Sequence, residues 1–337
     1  MSRPASQPVR QLAIVAVCLV ASIATADCVR PADRVLLVST RPAGCSTDAA
    51  RVAQGVEASE RIDGRWNASP FDSLMESLDP TRPIVVYVHG NQITASAARQ
   101  RGLDVYRHLV GCAEDERPIQ FVIFSWCSDK VPGLLRDYRE KAARTRPVAW
   151  QLAWVFDHLP YGSHVGLLGY SYGARVSSGA AHLMAGGSLS GLRYATDCSD
   201  CRVKSVRAVF LAAAYDACWN SPRSYHGMAL ERIDSLLTTI NPRDPAMRFY
   251  KWVPTEANPP ALGGDGPKGL TREQASRVRL LPVANTVGKS HNLYDYLAAP
   301  GVMRMAWRRL AFADESLEPQ VAGEDTPAED LAVVVGE

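Results

Sequence analysis

Val165-Gly-Leu-Leu-Gly-Tyr-Ser-Tyr-Gly-Ala-Arg175 reads as a strand, a sharp turn and the start of a helix. The apolar run Val165 to Leu168 leads into Gly169-Tyr170-Ser171-Tyr172-Gly173, and small residues at helical spacing continue from Ala174 to Leu183. A serine hydroxyl is a poor nucleophile unless it is held exposed beside a base, and a tight strand-to-helix turn does the holding. Side chains at Gly169 and Gly173 would collide with neighbouring backbone where the chain doubles back, which accounts for the glycine spacing. Ser171 is therefore the candidate nucleophile, and the pattern is that of a nucleophile elbow.

Segments of the same apolar character recur along the chain at Val35–Val38, Ile84–Val88, Phe121–Ser125, Val206–Leu211, Ile233–Ile240 and Val278–Val283. Helical spacing is found between them at Ala95–Val110 and Leu134–Leu159, then at Tyr172–Met184 and Val302–Ala313. Alternation of this kind predicts an α/β fold with a mostly parallel central sheet and helices on both faces. Near-continuous apolar strands suit a sheet buried from both sides. The stretch Ala49–Ser77 has no single period and supports no assignment. From Pro254 to Lys268 the chain carries Pro259-Pro260, Gly263-Gly264 and Gly266-Pro267, so an irregular loop insertion that could overhang the site is expected there.

At 337 residues and a net charge of +2, the chain suits one large domain rather than two small ones. Its basic residues are scattered rather than gathered into a stripe, which argues against nucleic acid as a partner, and no feature implies a protein partner. Arg3 and Arg10 precede an apolar run, Leu12–Ile23, and Ala24-Thr25-Ala26 offers small residues at a cleavage site. Residues 1–26 therefore read as a signal peptide cut after Ala26, leaving a periplasmic or secreted domain over 27–313 with no stable membrane insertion. Were the segment retained, it would anchor the protein to the membrane; Cys28 lacks a good lipobox for a lipid anchor. The tail from Asp314 holds eight carboxylates and no Lys or Arg, as expected of a solvated, disordered end over 314–337.

Export also sets the expected state of the cysteines. Cys18 leaves with the signal, and the other seven, an odd number, face an oxidising compartment where disulfides are expected. Cys198-Ser-Asp-Cys201 is half of a zinc pattern without a second Cys-x-x-Cys or a His pair, so a local bridge is expected there rather than a metal. The pairing of the remainder does not follow from spacing.

An acyl-transfer serine needs a base, an acid that orients the base, and donors for the developing oxyanion. With the chain order nucleophile, acid, histidine, the base belongs after the last strand, and His291 in Gly288-Lys-Ser-His-Asn-Leu-Tyr294 stands there. His226 also follows Ser171, but it falls before the acid in a short excursion after Leu211. Two carboxylates end strand-like runs, Asp216 and Asp244. Asp244 is preferred because Asn241-Pro242 makes a turn able to present a side chain at the carboxyl edge of the sheet; Asp216 is the alternative acid. The backbone N–H of Tyr172 is one candidate oxyanion donor, with Asn91 or Gln92 supplying the second after Ile84-Val-Val-Tyr-Val-His-Gly90. His89 reads as a loop-shaping residue, and no cofactor or metal is required.

Val86-Tyr-Val-His-Gly-Asn91, Phe124-Ser-Trp126, Gly169-Tyr-Ser-Tyr-Gly173, Leu211-Ala-Ala-Ala-Tyr-Asp216, Asn241-Pro-Arg-Asp244 and His291 together resemble the α/β-hydrolase superfamily. The likeness covers Val35 to Ala313 and is strongest to a bacterial branch of largely uncharacterised serine hydrolases related to lipases and esterases. The resemblance implies a Ser171–Asp244–His291 triad but identifies no substrate; the expected reaction is cleavage of a small-molecule or lipid carboxylic ester through an acyl-enzyme. Where that branch reads Pro-Asp at the strand end, this chain has Tyr215-Asp216, which bears on local loop shape. Lipase, thioesterase or peptidase chemistry would use the same groups, and a binding protein could retain the fold without turnover. The short connection from Leu211 to Ile233 leaves no room for a long helical cap, so an open site is expected.

Overall fold

The computed structural model describes residues 29–195, 202–250 and 259–313. Residues 1–26, read above as a signal peptide, the Cys198/Cys201 pair, residues 254–258 of the predicted loop insertion and the acidic tail lie outside them.

Eleven strands occur among the described residues. The first six are β1 (Arg34–Ser39), β2 (Glu57–Ile62), β3 (Arg65–Ser69), β4 (Ile84–Val88), β5 (Gln120–Ser125) and β6 (Ser163–Tyr170). After the two-residue pair β7 (Ser188–Leu189) and β8 (Leu192–Arg193) come β9 (Val203–Leu211), β10 (Ser235–Ile240) and β11 (Val278–Pro282). The helices are α1 (Ala49–Gly55), α2 (Phe71–Glu76), α3 (Ala95–Gly111), α4 (Leu134–Phe156), α5 (Tyr172–Met184) and α6 (Ala229–Arg232). They continue with α7 (Pro245–Tyr250), α8 (Leu262–Asp265), α9 (Arg272–Ser276), α10 (Leu293–Leu297) and α11 (Pro300–Leu310).

Nine strands form one sheet in the order β11-β10-β9-β6-β4-β5-β1-β2-β3. All neighbours from β11 to β1 run parallel, and the β2–β3 hairpin closes one edge antiparallel. The α/β class and the seven apolar strands read from the sequence are thus present, with ends that shift by a few residues.

Two layers cover the sheet. Alternate residues of a strand point to opposite faces, so Val86 and Val88 join α4 and α5 in one core, while Val85 and Tyr87 join α3, α10 and α11 in the other. The chain leaves β4 through α3 to its neighbour β5, then returns through α4 across β4 to β6 on its other side. Because α3 and α4 lie on opposite faces, the carboxyl ends of β4 and β6 flank a topological switch point, where open α/β sheets place their ligand crevices. Ser171 follows β6 at that edge.

The unassigned stretch Ala49–Ser77 contains α1, the β2–β3 hairpin and α2. Its turn, Asp63-Gly64, has positive φ at both residues (49° and 74°), the geometry of a two-residue hairpin loop. The expected irregular loop is partly a helical turn: Ala261 bridges Asp216, α8 follows, and Gly263 packs on the backbone of Ala212 and Ala213. Residues 259–268 therefore brace the chain after β9 instead of overhanging Ser171.

Close packing between β6 and α11 supplies a test of this architecture. A Cβ on Gly166 would stand 2.3 Å from the Leu310 carbonyl oxygen, so Gly166→Ala must push α11 off the sheet. The expected loss is about 2 kcal/mol or more in urea unfolding. Gly111→Ala, at a helix end with nothing within 4 Å, should be neutral or gain about 0.5 kcal/mol.

Candidate active site

Ser171 has φ 54° and ψ −119°, a conformation costing on the order of 1–3 kcal/mol for a residue with a Cβ. Neighbouring backbone holds it there. Its N–H donates to the Leu211 carbonyl of β9 (2.9 Å), and its carbonyl accepts from Ala174 (3.1 Å) and Ala214 (3.3 Å). A Cβ on Gly173 would lie 1.9 Å from the Val88 carbonyl oxygen, and one on Gly169 would lie 2.6 Å from the Ala174 Cα. Only glycine allows α5 to start this close to the ends of β4 and β6.

His291 stands in the loop between β11 and α10. Asn241 ties that loop down by donating from Nδ2 to the Gly288 carbonyl (2.9 Å), and the Tyr170 hydroxyl donates to the His291 carbonyl. Ser171 Oγ lies 3.1 Å from His291 Nε2, and His291 Nδ1 lies 2.7 Å from Asp244 Oδ2. Asp244 is fully buried, and its other oxygen, Oδ1, accepts the Ala246 N–H at 2.8 Å in the first turn of α7. With Nδ1–H donated to the carboxylate, Nε2 is left with a lone pair facing the serine hydroxyl. The His291 side chain is 28 % exposed, open enough to meet a ligand.

The structure thus brings Ser171, His291 and Asp244 together, while Asp216 is engaged elsewhere. Asp216 accepts the Tyr250 hydroxyl at 2.6 Å, and burial raises its carboxyl above the usual range. His226 is buried among Tyr215, Trp219 and Tyr225, hydrogen-bonded through Nδ1 to Ser178 Oγ (3.0 Å), and plays no part in this cluster.

Tyr172 is the first residue of α5, where a helix has no carbonyl partner for its backbone N–H. Asn91 lines the same cleft as Ser171, whereas Gln92 does not. Both side chains instead donate to one buried carboxylate oxygen, Asp137 Oδ2, at 2.8 Å and 2.9 Å. Asp137 Oδ1 accepts the Val131 N–H (2.8 Å) and the Lys141 ammonium (3.1 Å), and neither charged side chain is exposed. Burial pushes the Asp137 carboxyl up, but the hydrogen bonds from Val131, Gln92, Asn91 and Lys141 outweigh it and hold the group at about 2. Sequence reasoning missed this pair, because Asp and Lys four residues apart are ordinary on any exposed helix.

His89 shapes the loop, in keeping with its sequence reading. It is fully buried, its Nδ1–H donates to the Gly90 carbonyl (2.9 Å), and its Nε2 accepts the Trp126 N–H (3.2 Å). Burial lowers its pKa to about 3, so the ring is neutral at physiological pH.

Ser171 opens into a cleft of about 610 Å³. Its apolar walls come from Leu134 and Tyr138 of α4, Tyr172 of α5, and Met247, Phe249 and Tyr250 of α7. Among the described residues, no group of three or more His, Cys, Asp or Glu could hold a metal ion, and no helix is long and apolar enough to cross a membrane. Compared with known proteins, the chain matches no family model and no curated protein.

Asp137→Asn leaves the Lys141 ammonium buried without its counter-charge, and a loss of about 3–5 kcal/mol in denaturant unfolding is expected. Adding Lys141→Met should recover most of that stability. The pH dependence has a definite sign: the folded value, about 2, lies below the unfolded 3.8. The stabilisation from Asp137 is therefore complete above about pH 4 and is lost as pH falls through about 2, measurable as an acid limb of Tm against pH that the double variant lacks.

Proposed function

We propose that this protein is an exported serine hydrolase of the α/β-hydrolase fold that cleaves carboxylic esters through an acyl-enzyme. The observation that carries the reading is the hydrogen-bonded chain from Ser171 through His291 to the buried Asp244, anchored on a positive-φ turn at the switch point of the sheet. Export rests on the sequence pattern of residues 1–26.

In this reading Ser171 Oγ attacks the ester carbonyl while His291 Nε2 takes its proton. Asp244 keeps the imidazole in the Nδ1–H tautomer and stabilises the imidazolium that forms. The Tyr172 N–H, at the positive end of α5, and a donor from Asn91 receive the oxyanion. His291 returns the proton to the departing alcohol, leaving the acyl group on Ser171; water activated by the same imidazole then frees the acid. The apolar walls favour an acyl chain over a polar one.

The test is hydrolysis of p-nitrophenyl acyl esters by the full chain. Ser171→Ala should lower kcat/KM by about 10⁴ or more and abolish labelling by a fluorophosphonate probe. Asp244→Asn should cost about 10³–10⁴ in kcat, whereas Asp216→Asn should leave kcat within a few-fold of wild type. Each added CH₂ should raise kcat/KM about fourfold until the cleft is filled, as burial of ~0.8 kcal/mol per CH₂ implies. A folded protein with neither turnover nor labelling would sink the catalytic reading and leave a binding protein.

A further inference from the structure

Four described cysteines are free thiols, Cys45, Cys112, Cys127 and Cys218, and two of them, Cys45 and Cys127, are within hydrogen-bonding reach of one another. Cys45 lies just after Gly44, between the short 3-10 turn that follows β1 and α1, and Cys127 lies between β5 and α4. The Cys127 thiol donates to the carbonyl of Gly44, the residue before Cys45, at 3.6 Å, and the Cys45 and Cys127 thiols hydrogen-bond to one another. Neither cysteine belongs to a helix or strand, and Gly44 has φ 59° with nothing within 4 Å of where a Cβ would stand. Arg144, on the second turn of α4 after Asp137, donates to the Cys127 carbonyl at 3.3 Å and places its charge, paired with Glu140, beside the two thiols. Cys45 is exposed and Cys127 half-buried, so a small oxidant can reach them.

We propose that Cys45 and Cys127 form a thiol–disulfide exchange site that closes to an intramolecular disulfide on reaction with a small-molecule disulfide. The Cys45 hydrogen bond, with the Arg144 charge, lowers the Cys127 thiol below its usual range against the opposing effect of burial, and the Cys45 thiol is raised. Cys127 is thus the attacking thiolate. It displaces one half of the disulfide RSSR as a thiolate, which takes up a proton, and forms a mixed disulfide. Cys45 then loses its proton, attacks the Cys127 sulfur and releases the second thiolate. Two protein thiols are oxidised, and one RSSR is reduced to two RSH. The bond joins the segments after β1 and β5, and the latter runs on to Val131 and Asp137 beside the Asn91 loop. The inference stands apart from the hydrolase reading.

Full-length protein would be treated with oxidised glutathione, alkylated, and digested with trypsin and a glutamate-specific protease; cleavage at Glu116 separates Cys112 from Cys127. The expected product is a cross-linked Cys45–Cys127 peptide, with both cysteines lost from the alkylated pool together. Cys45→Ser should trap Cys127 as the glutathione mixed disulfide. Before oxidation, Cys127 should alkylate at pH 7 faster than Cys218, its thiol being lowered where that of Cys218 is raised. Continued alkylation of Cys45 and Cys127 after oxidant, or pairing of either with another cysteine, would overturn the proposal. So would a Cys45→Ser protein whose Cys127 takes up no glutathione.

Discussion

The close approach of α5 to the end of β4 is the constraint on which the rest of the site depends. Gly173 sits so near the Val88 carbonyl that no side chain fits between them. That contact fixes where the helix begins, which in turn forces Ser171 into a positive-φ turn instead of a regular helix cap. The strain is held by three backbone hydrogen bonds to residues on either side of it, so it is distributed over β9 and α5 rather than borne by one bond. Gly90 completes the arrangement, because a Cβ there would meet the Ser171 Cβ at 3.2 Å. The serine hydroxyl and the loop after β4 are thereby brought together by backbone packing alone, before any polar side chain contributes.

Polar side chains then do two jobs at once. Asp244 caps α7 with one oxygen and holds His291 with the other, so the acid that orients the imidazole also anchors the helix that walls the cleft. Asp137 divides its oxygens similarly, one toward Val131 and Lys141 and the other toward Asn91 and Gln92. Burying a Lys–Asp pair is no bargain in stability against a packed apolar pair. Its use here is geometric: a carboxylate with four donors fixes the Asn91 loop in a way that apolar contacts, lacking direction, could not.

Much of the fold was legible in the sequence because six of the seven strands read from it are buried on both faces and so appear as apolar runs, the exception being the edge strand β11. Ser171 and His291 were legible for a related reason, since each follows a recognisable strand at the carboxyl edge. The β2–β3 hairpin was not, because Glu57–Ile62 and Arg65–Ser69 lie at the sheet edge and alternate poorly; the signal present was Asp63-Gly64. Asp216 and Asp244 were hard to separate because both end strands. What distinguishes them is the Asn241–Gly288 hydrogen bond, a contact across 47 residues that no local pattern reveals. Lys141 was invisible for the opposite reason, as its local pattern suggested a solvated face.

The three histidines near the sheet's carboxyl half show how burial assigns roles that residue type leaves open. His89 has both ring nitrogens committed to backbone, and with its pKa pushed to about 3 it cannot gather a proton near neutrality. His226 lies in an aromatic box, and burial, with the Arg175 charge, lowers it well below the ordinary imidazole value. His291 alone combines a carboxylate on one nitrogen with a hydroxyl on the other and an edge open to the cleft. Only one of the three therefore keeps a ring nitrogen facing the cleft, while the other two are held in place as structure.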